Sequence, residues 1–153
     1  VITDFLLLRE DGKIIDEGIT VDRMSALGWK PSLVVEARWK WGGESLSLAN
    51  PLGLLAIVVP DRERLAILLN TDESRLIATL HVVDGSTQSL TKIPDRLAIN
   101  DKLEEGTFSW LEYFPHDSKS VFSCMYTKKR DQAIYRVDID AISGSVLLVQ
   151  PSR

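Results

Sequence analysis

The chain reads as an all-β, antiparallel protein, and three observations lead there. Residues 54–93 and 108–149 run through the same succession: an apolar strand, a Pro-charged turn, a second apolar strand, a polar loop, a third strand, an Asp/Gly/Ser turn and a short fourth strand. Repetition at a period of roughly fifty residues marks a modular β architecture, because one such unit cannot bury its face alone. Residues 33–41 alternate with period two, which requires one covered and one wet face. Helical signals are confined to one short segment. The 153 residues fit a single all-β domain, 1–153, large enough to bury about 70% of its unfolded surface.

Taken in order, residues 5–8, Glu10-Asp11-Gly12-Lys13 and Ile14-Ile15 form a hairpin, with Asp-Gly where a turn needs positive φ. Residues 21–27 are a short helix stopped by Gly28, with Pro31 beyond, and barely two turns long, so packing has to hold it. Residues 33–41, Gly42-Gly43 and 44–49 form a second hairpin. Val35, Ala37, Trp39 and Trp41 share its covered face, which makes the tryptophans core residues. Within the repeats, residues 65–69 are apolar throughout, as in a central strand buried on both faces. Residues 75–83 place Thr79 and His81 on one face, and 121–126 and 133–139 are the counterparts in the second repeat. Ile67, Leu69, Ile77, Phe122 and Ile134 are the expected core positions. Residues 94–106 show no alternation and read as a long, acidic surface loop between the repeats.

The second repeat resembles a blade of the β-propeller repeats in TolB-like and WD-repeat proteins. Phe114-Pro115-His116-Asp117-Ser118-Lys119 followed by Val121-Phe122 stands where those families have an aromatic, Ser-Pro-Asp-Gly-Lys and an apolar strand. Residues 134–140 with Ser143-Gly144 resemble the strand and turn before the outermost strand, and Val59-Pro60-Asp61 and Val83-Asp84-Gly85 match more loosely in the first repeat. Gly is missing from the Pro-Asp-Gly turn, replaced by Arg62 and Ser118, and no Trp-Asp dipeptide occurs. Closed propellers have four or more blades, and this chain holds about three units. The resemblance therefore implies two blade-like four-stranded repeats plus N-terminal hairpins, in an open propeller-like stack, a sandwich or a half-barrel. It also implies a protein-binding surface and carries over no catalytic residue.

Composition narrows the function. A net charge of −4 and a pI near 5.2 oppose a phosphate-backbone binder and fit a basic protein partner. No apolar stretch reaches the roughly 18 residues that span a bilayer, and no signal peptide is recognisable. The expected compartment is the cytoplasm, or the periplasm if a leader has been removed. Cys124, the lone cysteine, lies in an apolar run and reads as a core residue.

Candidate chemistry is thin. His116-Asp117-Ser118 holds the residue types of a hydrolase triad, but adjacent residues cannot converge as a triad must, so this is a solvated turn. His81, His116 and Cys124 lack metal-ligand spacing, and no metal or cofactor is expected. Asp138 and Asp140 lie two apart on one strand, about 7 Å from each other, and read as turn carboxylates. Lys128-Lys129-Arg130 reads as a solvated hairpin tip that protects an edge. What remains is a non-enzymatic protein-binding module, an inhibitor or toxin-neutralising immunity protein that occludes its partner. Its recognition residues are Asp101, Glu104 and Glu105 in the acidic loop and Trp110 as an aromatic anchor, although Trp110 shares its strand face with Phe108 and reads first as core. The alternative is a small β-sandwich or barrel hydrolase, or a ligand binder, using Asp138, Asp140 or His81.

Overall fold

The computed structural model describes residues 1–74 and 77–152. The first sheet comprises β1 (Ile2–Arg9), β2 (Ile14–Asp16), β3 (Val34–Trp41) and β4 (Glu44–Ala49), in the order β2-β1-β3-β4, with α1 (Val21–Ala26) between β2 and β3. The second holds β5 (Leu54–Val58), β6 (Arg64–Asn70), β7 (Ala78–Asp84) and β8 (Leu90–Lys92) in sequence order. The third holds β9 (Arg96–Ile99), β10 (Lys102–Glu112), β11 (Val121–Lys128), β12 (Ile134–Asp140) and β13 (Val146–Pro151), ordered β13-β12-β11-β10-β9. Every pairing is antiparallel. Each repeat is thus a four-stranded meander, β5–β8 and β10–β13. The expected third strand began at Arg75; Arg75 and Leu76 lie outside the described residues.

The middle sheet explains the continuous apolar run of β6. Leu65 and Ile67 enter one core with Ile2, Phe5, Ala37 and Trp39 of the first sheet. Ala66 and Leu68 enter the other with Phe108, Phe122, Tyr126 and Val137 of the third. A strand covered on both faces has no wet side on which polar residues could alternate. The result is three layers with two cores. Trp39, 1% exposed, fastens the first sheet to the second, its indole N–H donating to the Gly85 carbonyl at 2.8 Å.

Ile67 and Phe122 are buried as expected and Leu69 is half-buried, but Ile77 and Ile134 are 52% and 48% exposed. Ile77 precedes β7 and is outside the pleat. Ile134 has the parity of Arg136 and Asp138 on β12, opposite to the buried Tyr135, Val137 and Ile139. Helix α1 buries none of its residues, contrary to the expectation that packing holds it. Thr20 caps it, accepting from the Arg23 N–H at 3.1 Å. The following segment is tied down by the Arg9 guanidinium, which lies 5.2 Å from the Trp29 ring centroid and donates to the Lys30 carbonyl.

Residues 94–106 are not a loop. They contain the hairpin of β9 and the start of β10, turned through Asn100 and Asp101 at φ of 51° and 64°, the two left-handed positions of a type I′ turn. Leu97 and Ile99 point into the core while Arg96 and Ala98 face solvent. The alternation is present but lasts only four residues, and its turn lacks the glycine that usually announces one.

Candidate functional site along strand β10

The sequence pattern assigns Asp101, Glu104 and Glu105 to a loop and Trp110 to a separate strand; the structure collects all four on β10 and its turn. The strand is anchored from below by Tyr126, whose hydroxyl donates to the Asp95 carbonyl at 2.7 Å and the Glu104 carbonyl at 3.1 Å. Burial, helped by the neighbouring Asp95, Glu104 and Glu105, pushes this phenol up to about 12. Gly106 makes the approach possible: a Cβ there would lie 2.4 Å from the tyrosine ring and 2.5 Å from the Thr127 carbonyl oxygen.

The acids are not free. Glu105 pairs with Arg96 at 2.7 Å and Lys129 at 3.9 Å, and the largely buried Glu104 carboxylate pairs with Arg130 at 3.0 Å. The basic hairpin tip, expected to be solvated throughout, therefore folds onto β10. Its Lys128 is buried against Tyr135 and pairs with Asp131 at 3.0 Å. Asp101 is exposed on the turn.

Trp110 is 50% exposed, which overturns the core reading. The cause is a β-bulge. Phe108 pairs with Tyr126 and Trp110 with Met125, so Ser109 is an extra residue without a partner. One inserted residue reverses the pleat, and the buried pair becomes Phe108 and Leu111 rather than Phe108 and Trp110. Beyond Glu105, β10 has no neighbour on its β9 side and leans over β5, β6 and β7.

A trough follows the strand. Arg96, Leu103, Glu105 and Lys129 line its first part, and Ile77 and Thr107 its second. The third is a cleft of about 400 Å³ between the sheets, bordered by Trp110. From Leu103 to Trp110 this covers seven residues, roughly 23 Å at about 3.3 Å per residue. Leu103, Ile77 and Trp110, all at least half exposed, punctuate it. Such a surface presents apolar anchors between matched charges.

The residues considered for catalysis fall elsewhere. His116 leaves its turn and packs on the outer face of the third sheet, its Nε2 2.8 Å from the Ser123 hydroxyl, while Asp117 and Ser118 stay exposed. Ser123 in turn donates to Asp138 at 2.7 Å, and Arg136 donates to the same carboxylate at 3.1 Å while its guanidinium lies 4.0 Å from the Phe114 ring centroid. Serine, histidine and aspartate thus meet after all, and His116 also brings Nδ1 to 4.0 Å from the Asp138 carboxylate, beyond hydrogen-bond reach, but Ser123 is fully buried and gives its own proton to Asp138. A triad needs the imidazole between the other two. This set pins the segment after β10 to the sheet. Asp138 is therefore a buried hub rather than a turn carboxylate.

Asp140 does serve its turn, accepting from the Ile142 N–H at 3.2 Å and the Ser143 hydroxyl at 3.0 Å, and the Ile142 amide first among its contacts holds its carboxyl below the usual range. His81 belongs to the middle sheet, with Nε2 2.9 Å from the Thr79 hydroxyl. Its parity is that of Val83, facing the first core, whereas Cys124 lies in the second. The two do not meet. Burial pushes the Cys124 thiol well up, and its Sγ donates to the Val137 carbonyl at 3.7 Å. Among the described residues, no three His, Cys, Asp or Glu side chains gather at metal-binding spacing, and no helix is long and apolar enough to cross a membrane.

No protein-family model and no curated protein matches the chain. One chain of a solved structure, described as "Structure of Tne2 in complex with Tni2", is 56% identical, with a TM-score of 0.97 and a match covering 100% of both chains. The chain belongs to the family of that protein. The likeness runs the whole length, so that chain shares the three-sheet fold, β10 included.

Proposed function

We propose that this protein is a non-enzymatic protein-binding module, an inhibitor or toxin-neutralising immunity protein that blocks its partner sterically. The observation that carries the reading is the full-length match to a chain solved within a complex of two proteins, Tne2 and Tni2. Two features of the molecule support it. Asp138, Asp140 and His81 are dispersed over two sheets and engaged in structural hydrogen bonds, and the serine that meets His116 beside Asp138 is fully buried, out of reach of a substrate. The trough along β10, by contrast, is long, solid and studded with exposed apolar side chains, as surfaces that bind proteins are. The blade-like meanders of the propeller resemblance point to the same use.

Occlusion needs no chemistry of its own. A rigid strand with a few anchors seats against the partner's active site and keeps substrate out. The test is to purify the tagged chain from its native host and identify what accompanies it. One protein should co-purify at equal stoichiometry, and any activity of that protein should disappear at a 1:1 ratio. The reading fails if no protein accompanies the chain. It also fails if the pure chain hydrolyses an ester, glycoside or phosphodiester and loses that turnover in Asp138→Asn or His81→Gln.

A further inference from the structure

We infer that the cleft beside Trp110 is the anchor socket of the partner interface, and that it receives one bulky apolar side chain, Leu, Met or Phe, from a partner segment that also carries Lys or Arg. The inference rests on the protein-binding reading above and names the chemistry of that site. Leu33 comes from the first sheet's border, Leu55, Leu68 and Ala78 from the second sheet, and Phe108 and Trp110 from the third, so all three layers wall the cleft. Its volume of about 400 Å³ is in the range of pockets that enclose an organic group. Because packed strands rather than loops form its sides, it is present before the partner arrives, and little ordering entropy opposes binding.

Trp110 stands at the mouth of this cleft. The bulge at Ser109 turns a large apolar ring out of the core and leaves it half exposed at the lip of this cleft. Interface anchors that dominate affinity are enriched in Trp and lie beside pockets that exclude water. Ser32 and Ser109 supply a polar rim.

Charge selects the occupant. At the far end of the trough Glu105 already has Arg96 and Lys129, and Glu104 has Arg130. At the Trp110 end the balance differs. The segment between Asn70 and Ala78, both of which line the cleft, carries Asp72 and Glu73 against Arg75, and Glu112 follows Trp110 by two residues, which leaves acids in excess by sequence. The cleft wall itself holds no charged side chain. An apolar anchor flanked by cations satisfies both features at once, whereas an acidic segment would meet net repulsion.

The experiment measures binding kinetics against the partner protein that co-purifies from the native host. Trp110→Ala should weaken affinity at least tenfold, mainly through faster dissociation, without changing the melting temperature. Ala78→Phe, which fills the cleft, should weaken it comparably. Replacing Asp72 and Glu73 together by Lys should slow association severalfold at low salt, with the loss shrinking as salt screens the field. Arg38→Ala, on the outer face of the first sheet, should bind like the parent. Affinities of Trp110→Ala and Ala78→Phe within twofold of the parent would overturn the socket while leaving the protein-binding reading intact. If the parent binds no protein at all, both fall together.

Discussion

His81 shows how one side chain couples the fold to pH. Its ring is half-buried, Nε2 meets the Thr79 hydroxyl at 2.9 Å, and Nδ1 is buried without a partner. Burial, with a smaller contribution from Lys92 on the adjacent strand, lowers its pKa below the ordinary value. The folded chain resists a proton that the unfolded chain accepts near pH 6.5. The stability His81 contributes is therefore present above about pH 6.5 and is lost as the pH falls through that value toward the lowered folded one. Urea unfolding should show a lower free energy at pH 5.5 than at pH 7.5, and His81→Gln should reduce the difference. An unchanged pH dependence in the variant would assign the effect to other groups. Other residues illustrate how far identity alone can mislead. The sequence places His116, Asp117 and Ser118 side by side, yet the histidine's working partners are Ser123 and Asp138, brought to it by β11 and β12.

At the scale of the element, β10 carries most of what is specific to this molecule. Its first half, to Glu105, pairs with β9, and its second half, from Gly106, pairs with β11 and has no second neighbour. Bulges are a common means of making an exposed edge unsuitable for further pairing, and Ser109 lies in that open half. Deleting Ser109 would restore one-to-one pairing while leaving Phe108 and Leu111 on the inner face. We predict that this deletion folds and loses about 1 kcal/mol at most. Deleting Thr107 should be far worse, because Glu105 would move into the place of Gly106, where even a Cβ lies 2.4 Å from the Tyr126 ring. Thermal denaturation of the two deletions separates the cases, and equal losses would refute the bulge as the cause of the outward tryptophan. The ion pairs of the strand also change how its acids should be probed. Reversing Glu104 and Glu105 to Lys would set new cations against Arg96, Lys129 and Arg130, so stability and binding would change together.

At the scale of the whole molecule, the middle sheet makes the two cores interdependent. Leu65 and Ile67 belong to one and Ala66 and Leu68 to the other, so neither outer sheet can leave without exposing a face of β6. Unfolding should be a single cooperative transition, the same by tryptophan fluorescence and by far-ultraviolet circular dichroism. Trp39→Ala removes the largest fully buried side chain of the first interface and leaves the Gly85 carbonyl without its donor. A loss of about 3–5 kcal/mol is expected, with the transition still single. Separate melting of the first sheet would show that the layers are independent.

The all-β class, the two four-stranded meanders, the hairpins of β1–β2 and β3–β4 and the doubly covered β6 are legible along the chain. These follow from local rules: alternation, apolar runs and turn residues act between neighbours along the chain, and a strand must satisfy them wherever it ends up. The remaining features emerge when strands are laid side by side. The β9–β10 hairpin was hidden by an alternation of four residues and a turn made by Asn100 and Asp101 without glycine. The direction of Trp110 depends on a one-residue insertion that is visible only when β10 is laid against β11. The state of Glu104 and Glu105 depends on Arg130 and Lys129, more than twenty residues away, being folded back beside them. Register, bulges and ion pairs between distant segments are properties of two strands at once, and a pattern read along one strand does not contain them.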